Sequence, residues 1–84
     1  MVRKAKKKAP ADLNRIAIVL VELKVTQREL GAGIGRGEVM ISRYCTNTAQ
    51  PSLEVLNDIA NFLKVDVRRL MVPNKYAKAE QSRK

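Results

Sequence analysis

Three sets of residues in this chain have types and spacings that could support chemistry. The first is Gly31-Ala32-Gly33-Ile34-Gly35-Arg36-Gly37, a glycine-rich run of the kind that cradles phosphates. It lacks both the G-x-G-x-x-G order and a G-K-[ST] ending, and no strand precedes it, so nucleotide binding is not expected. The glycines fit a tight junction between two helices better. The second is Cys45, the only cysteine in a chain with no histidine. One thiol cannot close an internal disulfide, and without histidine it cannot build a zinc site or a Cys-His or Ser-His-Asp centre. No catalytic residue, cofactor or metal is therefore assigned. The third set is cationic: 17 Lys and Arg against 8 Asp and Glu give a net charge of +9. That excess suits an anionic partner such as nucleic acid, acidic protein or a membrane surface.

The charge is unevenly placed. The first nine residues hold five cations and no acid. Lys75, Lys78, Arg83 and Lys84 outweigh Glu80 at the other end, while residues 10–73 are close to neutral. Neither end shows hydrophobic periodicity. The expected organisation is a basic flexible arm over 1–11, one folded domain over 12–73 and a basic flexible tail over 74–84. An 84-residue chain with 45% hydrophobic residues can support one small core. The apolar run Ile16–Val21 is crowded by Asp12, Arg15 and Glu22 and is too short for a signal or a membrane span. A reducing cytoplasm suits the single thiol.

These residues need elements to position them, and the pattern predicts five short helices. A first helix over Asp12–Lys24, capped by Asp12, would bury Ile16, Val19, Leu20 and Leu23 and leave Ile18 and Val21 outside the stripe. Thr26-Gln27-Arg28-Glu29 is a capping box with Val25 and Leu30 as its hydrophobic staple, so a second helix runs to about Ile34. Gly31 and Gly33 inside it each cost roughly 1 kcal/mol against Ala, unless close packing needs a small residue at 31. Gly35 suits a left-handed helix stop. A third helix over Glu38–Thr46 turns Ile41, Tyr44 and Cys45 inward. Ser52 caps a fourth helix with Leu53, Leu56, Ile59, Ala60 and Leu63 on its apolar face. Asp66 caps a last short helix, stapled by Val65 and Leu70 and ended by Pro73.

Two helices joined at a glycine turn have helix-turn-helix geometry, spanning about residues 27–46. Gln27-Arg28-Glu29-Leu30, Ile34-Gly35, Ile41-Ser42-Arg43-Tyr44 and Pro51-Ser52-Leu53 together resemble the Cro and phage-repressor-type, XRE-like family. The resemblance extends upstream to Asn14-Arg15-Ile16 and downstream to Ile59-Ala60 and Val65–Leu70. It implies an all-α, five-helix, lambda-repressor-like domain whose third helix enters the DNA major groove.

Carried over by position, Gly37, Glu38, Val39, Ser42 and Arg43 would face bases. Gln27, Arg28, Arg36, Thr46, Asn47 and Thr48 would face phosphates. Arg43 suits guanine O6 and N7, and Glu38 could accept from cytosine N4. The chain departs from the family pattern at Gly31, where Ala is usual, at Arg36, where an apolar residue is usual, and at Gly37, where a Ser or Thr cap is usual. Cys45 also replaces a frequent Glu.

The implied partner is an operator in double-stranded DNA, bound by a homodimer that regulates transcription, most simply as a repressor, in the cytoplasm at the nucleoid. No membrane or small-molecule partner is indicated. The dimer could form through Val67, Met71 and Val72, or through Ile18 and Val21. An antitoxin or a restriction–modification controller would use the same domain. A protein-interaction module that no longer reads DNA is the alternative suggested by the weak Gly37 cap and the acidic Glu38.

Overall fold

The capping box forms as its sequence requires. The Thr26 hydroxyl accepts the Glu29 amide at 3.0 Å, and Glu29 Oε1 accepts the Thr26 amide at 2.8 Å. Two of the helix's four orphan amide donors are thereby satisfied. Thr26→Ala should cost about 1 kcal/mol, a melting-point loss of roughly 4–8 °C in a domain this small. A thermal melt with no displacement would contradict that assignment.

The computed structural model describes residues 12–74. The expected arm over 1–11 and all but the first residue of the expected tail lie outside them. The described chain forms helices α1 (Ile16–Leu23), α2 (Gln27–Ile34), α3 (Glu38–Cys45) and α4 (Leu53–Leu63), then a 3-10 turn (Val67–Leu70). The fifth helix expected from the sequence is thus a single 3-10 turn. Asp66 does cap it, accepting the Arg68 amide at 2.8 Å. The Arg68 guanidinium also bonds that carboxylate and holds the Asp66 carboxyl below its ordinary pKa.

Two helix ends share one local design. Lys24 and Lys64 both adopt a left-handed backbone, each with φ 60°. The following valines then send their amides back into the helix, Val25 to Leu20 O at 2.9 Å and Val65 to Ala60 O at 3.0 Å. This six-to-one bond closes each helix and turns the chain toward the next cap, Thr26 or Asp66.

The core joins Ile16, Val19 and Leu20 of α1 to Leu30, Ile41, Tyr44 and Cys45 of the next two helices. Val55, Leu56, Ile59, Ala60 and Leu63 of α4 complete it with Leu70. Within it, α2 packs on α3 and α4, while α1 packs on α3 and the 3-10 turn. Two expected core positions are corrected. Leu53 is 81% exposed and Val55 is buried in its place. Leu53 is the first residue of α4, so its side chain leaves the helix before the apolar face meets its neighbours. Leu23 sits at the margin, 36% exposed.

The start of α1 is also corrected. It begins at Ile16, and Asp12 does not cap it. Residues 13–15 are instead drawn out to pair with the chain's far end. Val72 N donates to Leu13 O at 3.1 Å, Arg15 N donates to Leu70 O at 2.8 Å, and Asn14 and Met71 form an antiparallel bridge. That pairing also ends the 3-10 turn at Leu70, before Pro73 can act. The start of α1 is served from Asn14, whose Oδ1 accepts the Ile16 amide at 3.0 Å.

Asn14 is the one buried polar side chain among the described residues, 5% exposed. Its Nδ2 donates to Tyr44 O at 2.9 Å and to Gln50 Oε1 at 2.8 Å. Asn47, at φ 61°, completes the joint. Its Oδ1 accepts the amides of Leu13 and Asn14 at 2.9 and 3.0 Å and the Gln50 Nε2 at 2.9 Å. Its Nδ2 donates to Asn14 O at 3.2 Å. The segment before α1 is thereby fastened to the loop after α3.

Candidate nucleic-acid interface

The path from α2 to α3 is three residues, Gly35-Arg36-Gly37. Gly35 takes the left-handed conformation with φ 72°, which glycine adopts without a Cβ penalty. The chain then folds back tightly, and the Arg36 amide donates to Gly31 O at 2.9 Å. A Cβ on Gly31 would stand 2.7 Å from the Arg36 carbonyl oxygen and 3.3 Å from Ile41 Cγ1. This is why glycine occupies a position where the family usually has alanine: the turn crosses α2 with room only for a hydrogen. Phe62 lies similarly close over Gly33 and joins α4 to the same helix.

Closing the turn this way fixes how α3 is presented. Ile41, Tyr44 and Cys45 are buried, and Glu38, Val39, Ser42 and Arg43 are exposed. With 3.6 residues per turn, Val39 stands opposite the buried trio, Glu38 and Ser42 lie along one flank, and Arg43 is one turn beyond Val39. Met40, which the sequence reading passed over, is also partly exposed on this helix. Gly37 is the N-cap and offers no side-chain bond to the first amides of α3. Glu38 in the first turn and Arg43 in the last complement the helix dipole.

The cations differ in their surroundings. Arg28 Nε lies 3.9 Å from Glu38 Oε1, both side chains being well exposed. This is a loose surface pair of small energetic worth. It nonetheless sets a positive charge beside the one acid at the tip of α3. Arg36 and Arg43 are exposed and have no carboxylate partner among the described residues. Gln27 is half-buried at the first position of α2.

The loop after α3 is organised by the main chain of Arg43. Its carbonyl accepts the Thr48 amide at 2.9 Å, the Ala49 amide at 3.2 Å and the Thr46 hydroxyl at 3.3 Å. Thr46 and Thr48 are exposed and share a 2.8 Å hydroxyl contact. Asn47 differs from its neighbours, because its side-chain amide is committed to residues 13, 14 and 50. Sequence reading missed that joint. Its only signal was an asparagine two residues before the apolar stripe, and its partners around the loop after α3 lie thirty or more positions away.

Cys45 faces inward on α3, and burial pushes its thiol pKa up. Among the described residues no cluster of three or more His, Cys, Asp or Glu could hold a metal ion. No helix there is long and apolar enough to cross a membrane.

A family model described as Helix-turn-helix matches residues 16–70. Among curated proteins no match is found. A crystal structure from Bacteroides fragilis, of a protein provisionally named as DNA-binding, is 47% identical. The match covers 71% of this chain and 97% of that one, with a TM-score of 0.70.

Proposed function

The chain belongs to the helix-turn-helix family, and from that membership we propose that it binds double-stranded DNA through α3 and regulates transcription. The observation that carries the reading is the outward face of α3, where Arg43 is exposed and has no carboxylate partner among the described residues, as is also true of Arg36 in the turn before it. Glu38, Val39, Ser42 and Arg43 face base edges, with the Gly37 backbone at the tip of the helix. Gln27, Arg28, Arg36, Thr46 and Thr48 face phosphates. The half-buried Asn47 side chain is spent on residues 13, 14 and 50, so its part in facing phosphates is to hold the loop that presents Thr46 and Thr48.

The active form is a homodimer. One eight-residue recognition helix touches only a few base pairs, too few for both affinity and specificity. Two copies about a two-fold axis read half-sites about 10 base pairs apart. Two exposed apolar surfaces are available for the dimer. Met71 and Val72 lie beside Leu13 at the end of the 3-10 turn, and Ile18 and Val21 lie on α1. Repression follows where the operator overlaps a promoter. The interaction-module alternative loses part of its motive, because Arg28 stands beside the Glu38 charge that prompted it.

Selection from a random pool of duplex DNA tests the reading. A two-fold symmetric motif should be enriched, and no enrichment of any sequence would sink it. The N-terminal residues contribute differently. Deleting residues 1–9, which carry five cations, should weaken binding to every sequence alike. It should also flatten the salt dependence by about 0.9 in slope for each phosphate that is no longer neutralised. A loss of base discrimination with an unchanged salt slope would contradict this electrostatic role.

A further inference from the structure

Polar readers surround an apolar centre on α3. Val39 is 69% exposed, directly opposite the buried Ile41, Tyr44 and Cys45, with Glu38 and Ser42 on one flank and Arg43 a turn beyond. A β-branched side chain here gains nothing from the core, and it has lower helix propensity than alanine. It occupies the part of the helix that would go deepest into a groove. The major-groove edges of the bases are donors and acceptors with one apolar exception, the 5-methyl group of thymine.

We propose that Val39 is a specificity-determining residue that reads a thymine methyl group. This deepens the DNA-binding reading and rests on it. Val39 and Arg43 are four residues apart, about 6 Å along the helix axis, and stacked base pairs are about 3.4 Å apart. The thymine therefore lies within about two base-pair steps of the guanine that Arg43 reads. Removing one methyl from water against the valine is worth about fourfold in affinity.

The test uses the full chain and its selected operator, with each thymidine of one half-site replaced singly by deoxyuridine, which lacks only the methyl. One replacement, within two steps of the guanine, should weaken binding about fourfold, and the others should have little effect. In Val39→Ala that operator and its deoxyuridine form should bind equally. The position is exposed, so the variant keeps its fold, as a thermal melt would verify. If no replacement matters, or the penalty persists in Val39→Ala, the inference is overturned while the DNA-binding reading stands. If the wild-type chain selects no DNA at all, both fall.

Discussion

Arg43→Ala should weaken operator binding by about 5- to 150-fold for each half-site occupied and erase the preference for guanine at one position of each half-site. The magnitude is that of one bidentate arginine–guanine contact, about 1–3 kcal/mol. The substitution is unusually clean in this fold. The loop after α3 is built on the Arg43 carbonyl, through Thr46, Thr48 and Ala49, and the guanidinium takes no part in it. Alanine keeps those bonds and is a better helix former, so folding should be untouched. Arg43→Lys separates the two roles a cation could have here. Lysine keeps the charge but loses the planar two-donor fork. If the lysine variant matches wild type on all four bases at that position, Arg43 contacts phosphate and the base assignment is wrong.

The largest loss of stability is expected from Asn14→Ala. The side chain is buried and makes three hydrogen bonds, to Ile16 N, Tyr44 O and Gln50 Oε1. Removing it leaves the first amide of α1 without a partner inside the protein. Leaving such groups unsatisfied costs about 2–3 kcal/mol in all. At roughly 4–8 °C per kcal/mol, the melting temperature should fall by about 8–24 °C. A fall of less than about 3 °C would mean that water or a rearranged Gln50 serves these groups equally well. DNA binding by the folded fraction should also weaken, because the joint holds Asn47 between Thr46 and Thr48.

These two residues mark where sequence reading reaches and where it stops, the outward placement of Arg43 on the one side and the buried joint at Asn14 on the other. Arg43 was legible because a helix of known start fixes which residues point outward, and that start is set locally. Thr26 with Glu29 and Gly35 with its left-handed stop each act over fewer than five positions. The fold between Val25 and Cys45 follows from them. Asn14 was not legible as a structural centre, because its partners come from segments that only the finished fold brings near. The same cause displaced the start of α1: Asp12 is an adequate local cap, but pairing with residues 70–72 overrides it. The last element contracted to a 3-10 turn because Leu70 must be buried and Met71 must already be extended to meet Asn14. Leu53 fits the helical stripe by spacing but lies outside the core, because it is the first residue of α4 and precedes the part of that face which meets its neighbours. Asn47 fits the family's phosphate-gripping loop by position, yet its side chain is taken up by the domain itself.

The inward placement of Cys45 has a consequence in the language of reactivity. Only a thiolate attacks disulfides, oxidants and alkylating agents, and burial keeps this thiol both protonated and covered. The helix proposed to read DNA therefore works without a thiol redox lever on its inner face. The same thiol is a natural clock. It becomes reactive only when α3 lifts from the core, so the rate at which it is modified measures how often the recognition helix comes loose. Bound DNA, which would hold that helix in place, would slow the clock.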